Sequence, residues 1–566
     1  MRRIFLKYIA AVTLTVAAAS DMSATKRATP SQANLRVPLD IPLLLSGNFG
    51  ELRNNHFHSG LDFKTQGQTG LPVYCAADGY VSRVLVSPWG FGRAVYVTHP
   101  ELGLVTVYGH LQSFSTRIDN PTRARQYAEE TFRIDIEYAP GDIPVSRGEL
   151  IGRSGNAGSS GGPHLHMDVR DAETEHALDP MDYYAGHIKD NVPPEVRAVA
   201  LYPREGVVNG RPVPAFHSGP HLRDSFTAWG RVVPGIKAYD KMTGTTNIYG
   251  VKYMTFIVDG DTVYRRVIDE FDFDRSRAVN TLVEYGDVVR DKSWNMITEQ
   301  PESRPLTDMI YSRGDGSLMI DRERTYKCEF ILEDHHGNRT RVPFSIVGKE
   351  SAIPDPAGEG RLLSFDRPYR IEEGGAVVEI PAGMLYRDYL FAMERVEPAP
   401  DGTYSALYSI GSPEEPLAGN IRISLPVGND VIADKRKYCL VRYNGLRPSA
   451  VEGEYRGGRM EAKVNRFGNY SVMADTVAPK VVAQQPEKWG QRGAVTYKIS
   501  DNLSGIDTYR GEIDGKWALM ELDGKTGTLS FKLDPKRWKK GVRHKVVLTV
   551  TDACGNSSTD TRTFTW

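Results

Sequence analysis

Cysteine is scarce in this chain. Four occur in 566 residues, Cys75, Cys328, Cys439 and Cys554, far apart and with no C-x-x-C pair. That excludes a disulfide-stapled scaffold and a cysteine-held zinc site, and leaves isolated buried thiols as the expectation. An excess of either charge is missing too. Lys and Arg number 70 against 71 Asp and Glu, so there is no broad basic footprint for nucleic acid. Long apolar runs are absent apart from one near the start, which excludes a multi-span membrane protein. Wholesale disorder is excluded by an ordinary globular balance of 40% hydrophobic and 25% charged residues. Turn and strand formers are plentiful instead: 54 Gly, 34 Pro and 28 Tyr point to many strands and turns rather than a helical bundle.

The single apolar run, Tyr8 to Ala19, follows Arg2, Arg3 and Lys7 and ends in Ala17-Ala18-Ala19. It is too short to span a bilayer comfortably and has the form of a secretory signal peptide cut near Ala19 or Ser20. Export to the periplasm or cell surface is expected, with no membrane span after cleavage.

The fold expectation is mainly β. Residues 1–20 read as the signal peptide and 21–42 as a polar linker. Residues 43–190 read as a compact antiparallel β domain, with strands such as Gly79–Val86, Arg93–Thr98 and Leu104–Tyr108. Residues Thr122 to Phe132 have helical composition after Asn120-Pro121, so they predict a helix within an insertion of about Asn120 to Ala139, read as lying near the cleft and shaping it, with a surface elaboration as the alternative. Residues 191–350 and 476–566 are related by an internal repeat. Val192–Val196 matches Val477–Val481, and Asp240–Gly244 matches Asp501–Gly505. Ile257–Gly260 resembles Ile513–Gly515, and Asp334–Asn338 matches Asp552–Asn556. Both copies suit an immunoglobulin-like β-sandwich, the first with an insertion between about Asp261 and Asp321. Their aspartates suit turn chemistry, with calcium as the second reading. Between them, residues 351–475 form a further β-rich domain.

Histidine carries the chemistry. His58-Ser-Gly-Leu-Asp62 offers an imidazole and a carboxylate four positions apart, Tyr108-Gly-His110-Leu111 a second imidazole, and Gly161-Gly-Pro-His164-Leu-His166 a pair. In a strand, positions i and i+2 share a face, so His164 and His166 project together. A catalytic zinc takes three protein ligands and keeps one open position. His58, Asp62 and one histidine of the pair complete such a set. The other histidine and His110 are then left beside the metal. Asp168 shares the strand face and suits a supporting contact, and His56 lies on the face of His58.

These residues, with Gly47–Arg53, Gly148–Gly158 and His164–Arg170 around them, resemble the lysostaphin-type, or LytM-like, zinc metallopeptidases that cut peptidoglycan peptides. The resemblance covers about a quarter of the chain, within residues 43–190. It implies one catalytic zinc ion held by His58, Asp62 and His166, with His110 and His164 as the catalytic pair. It implies peptidoglycan peptides as the substrate class. Envelope proteins or wall polymers are the expected partners of the β-sandwich domains. The alternative is a catalytically masked LytM-like regulator, or a cell-surface binding protein acting through those domains.

Overall fold

The computed structural model describes residues 27–566 apart from 356, 357 and 359. The expected signal peptide lies outside them. The chain is mainly β, as its strand-length alternating runs dictate.

The first domain is built on β1 (Leu45–Gly47), β2 (Leu61–Lys64), β3 (Gly79–Val86), β4 (Arg93–His99), β5 (Leu104–Gly109), helix α1 (Thr116–Glu129), β6 (Ile134–Glu137) and β7 (His164–Asp171). Hydrogen bonding orders the strands β1-β2-β7-β5-β4-β3-β6, every neighbouring pair antiparallel. Strand β7 shows how the pleat sorts its residues. Leu165, Met167 and Val169 enter the apolar core with no exposed surface. Burial of each contributes about 1.5–3 kcal/mol. His164, His166, Asp168 and Arg170 take the other face.

Three sequence expectations are corrected here. The stretch read as a polar linker, 21–42, supplies Ala33, Leu35 and Leu39 to the core of the first domain. Leu35, Val37, Leu39 and Ile41 alternate with polar neighbours, a short two-residue period masked by the polar residues before it. Helix α1 begins six residues before the expected start and carries Pro121 inside it. Proline forfeits one backbone hydrogen bond there. Ile118, Thr122 and Gln126, four apart on one buried stripe, hold the helix down nonetheless. The third correction concerns position. Among the described residues, nothing from 116–139 lines the cleft described below. Instead the insertion docks on the last domain. Tyr127 meets Trp517 edge-on at 5.3 Å between centroids, the Arg537 guanidinium lies 3.4 Å over the Tyr127 ring, and Arg510 pairs with Glu130 at 2.6 Å.

Residues 195–348 form a sheet assembly in which Ser225–Tyr239 pairs parallel with Arg339–Gly348 and the other pairs are antiparallel. The expected insertion in this copy folds back on the first domain. Phe271 stacks on Phe49 at 5.2 Å, and Ser276 Oγ accepts a hydrogen bond from the Phe57 amide at 3.0 Å. Residues 369–474 make two five-stranded sheets around their own core. Residues 480–565 make two four-stranded sheets. All four cysteines are buried and free. Cys439 and Cys554 are not isolated: they share one small apolar cluster with Val441, across two domains.

The last domain closes back on the first. One apolar cluster runs through both. Arg93 pairs with Glu521 at 2.6 Å, and Lys525 Nζ donates to the carbonyls of Asn156 and Ser160 at 2.5 and 2.9 Å. No helix among the described residues is long and apolar enough to cross a membrane.

Candidate active site

The register of β2 and β7 sets the site. His166 lies directly across from Asp62, with Gly109 opposite on its other side. His58 precedes β2 in a turn that only glycine permits at position 60, where a Cβ would stand 2.2 Å from the Met167 carbonyl oxygen. His110 follows the end of β5 with φ of 58°, an uncommon conformation for a non-glycine residue, found at functional sites. His164 opens β7. All the residues singled out by sequence therefore meet, apart from His56. That residue is exposed, and its Nδ1 faces the Asn54 carbonyl at 3.0 Å.

Hydrogen bonds fix which ring nitrogen each histidine offers, because a carbonyl oxygen only accepts. His58 Nδ1 donates to the Asn48 carbonyl at 2.6 Å, so its Nε2 carries a lone pair. His166 gives Nε2 to Asp168 Oδ1 at 2.6 Å, so its Nδ1 carries one. These two nitrogens are 3.1 Å apart and stand 3.0 and 2.9 Å from Asp62 Oδ1. Three acceptor atoms thus converge in a buried place. One proton satisfies a single pair of them, whereas a metal ion satisfies all three. His110 Nδ1 donates to the Ala157 carbonyl at 2.9 Å and His164 Nδ1 to the Gly162 carbonyl at 2.8 Å, so both leave Nε2 as an acceptor. The His110 and His164 rings are 4.7 Å apart.

Supporting contacts hold this set. Asp168 is fully buried and takes Arg170 Nη2 at 2.6 Å and Ser59 Oγ at 2.9 Å as well as His166. Burial alone would raise its pKa, but the Arg170 and His166 charges hold it below the usual carboxylate range. Burial would push His166 down, yet Asp168 and Asp62 together raise it to about 9. The field that holds a proton on His166 holds a metal cation in its place, and binding a metal displaces that proton. Asp62 stays well below its ordinary value: its own burial opposes this, but the His58 charge and the contacts to His164 and His166 prevail. Its second oxygen, Oδ2, accepts from Arg53 at 2.9 Å.

The set opens into a cavity of about 620 Å³ lined by Arg53, Asp62, Lys64, His110, His164 and Asn247 among others. Arg53 belongs to the Gly47–Arg53 motif but carried no role in the sequence reading. Asn247 comes from the second domain and has no sequence signal, since only the tertiary fold brings it here. The donor set, two imidazole nitrogens and a carboxylate oxygen with an open side, fits zinc.

The chain is 32% identical over 113 residues to the DD-carboxypeptidase/endopeptidase Mpg of Neisseria meningitidis, a match covering 20% of each protein. It is 34% identical over 111 residues to an uncharacterized metalloprotease of Haemophilus influenzae, covering 20% of this chain and 18% of that one. The first domain resembles the LytM-type metallopeptidases. The LytM-like region is a modest part of the whole, and the chain spans less than a third of the length of each curated relative named here. A separate match joins it to an arginine–tRNA ligase of Roseobacter denitrificans, 27% identical over 175 residues, 28% of this chain and 30% of that one. Among solved structures, a zinc-containing peptidase from Vibrio cholerae is 27% identical, covering 26% of this chain and 39% of that one. Its TM-score of 0.20 adds nothing to the assignment. Residues 360–475, far from the LytM-like domain in sequence, match the family described as a Zu5-like domain.

Proposed function

We propose that this chain is an exported, zinc-dependent endopeptidase that hydrolyses peptide bonds of peptidoglycan. The observation that carries the reading is the convergence of His58 Nε2, Asp62 Oδ1 and His166 Nδ1 on the side of an open cavity. The names of the Neisseria and Haemophilus relatives support it. A zinc ion held by these three residues supplies Lewis acidity and lowers the pKa of water toward ~7.

The remaining work falls to the chain's own groups. His110 presents a bare Nε2 and His164 an Nε2 that stands 3.3 Å from Asp62 Oδ1, so either ring, when neutral, can accept a proton from the attacking water and pass it to the leaving amine. Once protonated, the same ring stabilises the oxyanion that develops on the scissile carbonyl. Arg53 holds Asp62 in place through Oδ2. Lys64 and Asn247 line the cavity, where a peptide with carboxylate and amide groups would lie. The repeated domains, 191–350 and 476–566, are read as immunoglobulin-like modules that position the enzyme on the wall or on an envelope partner.

His110 is held neutral at the pH where the enzyme would work. Burial, together with the His166 and His164 charges, pulls its pKa down to about 3. Between pH 3 and the ordinary 6.5 the unfolded chain therefore binds a proton at this position that the folded chain does not. Its contribution to stability falls as pH falls through that window. We expect no loss of rate attributable to His110 between pH 7 and 5, and an NMR titration of its ring should show no midpoint there. A midpoint near 6.5 would show that burial and the neighbouring rings do not depress this imidazole.

The activity is tested with the exported chain on purified peptidoglycan from several wall types, with and without chelator, reading released muropeptides by mass spectrometry. New termini that vanish with chelator establish the reading and name the bond. Intact walls in the presence of zinc-loaded protein refute it in favour of a masked regulator.

A further inference from the structure

Two other groups of side chains in this chain gather carboxylates without a cation. In the first repeated domain Asp190, Asp240 and Asp334 each bring an oxygen within 4.8 Å of the others. In the second, Asp475, Asp501 and Asp552 do the same. The sequence repeat had paired Asp240 with Asp501 and Asp334 with Asp552. The structure adds Asp190 and Asp475, each two residues before the Val-x-Pro that opens its copy.

The two groups are built alike. The Val192 amide donates to Asp190 and the Val477 amide to Asp475, both at 3.1 Å. The Thr243 amide reaches Asp190 at 3.0 Å, and its counterpart, the Ser504 amide, reaches Asp475 at 2.9 Å. The side-chain amides of Asn338 and Asn556 donate to Asp334 and Asp552, both at 2.7 Å.

These contacts leave oxygens over. Asp240 is 3% exposed, and its Oδ1 has no hydrogen-bond partner; Oδ2 of Asp190 and Oδ1 of Asp501 are likewise buried and unpartnered. None of the six carboxylates forms an ion pair among the described residues. The ammonium next to the first group is already engaged: Lys252 Nζ lies 2.7 Å from Asp179 and 3.4 Å from Asp182. Three carboxylates buried without a counter-charge repel one another strongly. Burial, and then Asp334 and Asp190, push Asp240 up to about 8. A cavity of about 20 Å³, large enough for one water-sized occupant, is lined by the first three together with Asp179, Lys252, His335 and His336 among others.

We propose that each repeated domain binds one divalent cation of the calcium class, the first through Asp190, Asp240 and Asp334, the second through Asp475, Asp501 and Asp552. The donors are oxygens alone, with no imidazole or thiolate, which selects a hard cation over zinc. Three carboxylates offer up to six oxygens toward the six to eight that calcium takes. Both sites sit at a domain entrance. Asp190 stands just before the strand Glu195–Val208 and Asp475 just before Lys480–Ala483, while the other two aspartates of each group lie deeper in the same domain. A bound ion ties the incoming chain to the body of the domain it enters, so calcium stiffens both joints. This does not depend on the hydrolytic reading, because the zinc ligands are separate residues.

The test uses the full exported chain with its zinc retained, dialysed against a calcium-selective chelator and then against millimolar calcium. Bound calcium and zinc are counted by elemental analysis. Two calcium ions per chain are expected in the wild type, one in Asp240→Asn, one in Asp501→Asn and none in the double variant, with zinc content unchanged. Calcium should raise the thermal midpoint of the wild type, as any ligand of the folded state does. Fewer than two ions in the wild type, or variants that keep both, overturns the proposal, as does displacement by an equal concentration of magnesium. If Asp240→Asn does not fold, the wild-type count and Asp501→Asn decide.

Discussion

Replacing His166 by alanine is expected to abolish metal retention and peptide cleavage together while leaving the fold in place. His166 Nδ1 is one of three lone pairs that converge, so its loss leaves His58 Nε2 and Asp62 Oδ1 alone, 3.0 Å apart. Two ligands do not hold a catalytic zinc. Zinc content should fall from one ion per chain to near none, and the cleavage rate at least about 1,000-fold, or ~4 kcal/mol of barrier. The fold should survive because Asp168 keeps Arg170 and Ser59 when the imidazole goes. Thermal unfolding, zinc analysis and muropeptide release on one preparation check all three. Cleavage that persists without metal would refute the metallopeptidase reading, and metal that persists would move the third ligand from His166 to His164.

The second large effect concerns Asp168, which touches no substrate in the proposed reaction. Its carboxylate sits between the His166 ring and the Arg170 guanidinium, with contacts of 2.6 Å to each. Asp168→Ala strands a buried guanidinium and a buried ring N–H. The expected destabilisation is about 3–5 kcal/mol, as when one partner of a buried pair is removed. Asp168→Asn keeps the shape and one acceptor but removes the negative charge that raises His166. Zinc affinity should fall about 10–100-fold while the protein stays folded. Zinc competition with a chromogenic chelator reads the affinity and denaturant unfolding reads the stability. If the asparagine variant binds zinc as tightly as the wild type, Asp168 only supports the fold.

The histidine pair was legible from sequence because strand geometry is local. Residues i and i+2 share a face whatever the rest of the chain does, so His164 and His166 follow from the pattern alone. Asp168 and Arg170 extend the same face by the same rule. What was not legible depends on which strands become neighbours. Nothing in the spacing brings Asn247 into the cavity from another domain, or sets Asn48 and Ala157 carbonyls against His58 and His110 to choose their tautomers. Helix α1 was located but its role was not. Its composition gave a helix, whereas its partner, the face carrying Trp517 and Arg537, lies some 400 positions away. The aspartate triads show the same limit. The repeat revealed two members of each, and the third emerged only when the domain entrance packed against them.

The contact between Lys525 and the loop beside His164 has a consequence in time. The carbonyls of Asn156 and Ser160 receive that ammonium from 369 and 365 positions farther along the chain. A polypeptide is made from its amino end, and contacts of such long range form late in folding. The loop beside the His164 ring is therefore braced only after nearly the whole chain has been made. A chain cut short before residue 525 would carry His58, Asp62, His110, His164 and His166 yet lack the brace that the last domain supplies to the first.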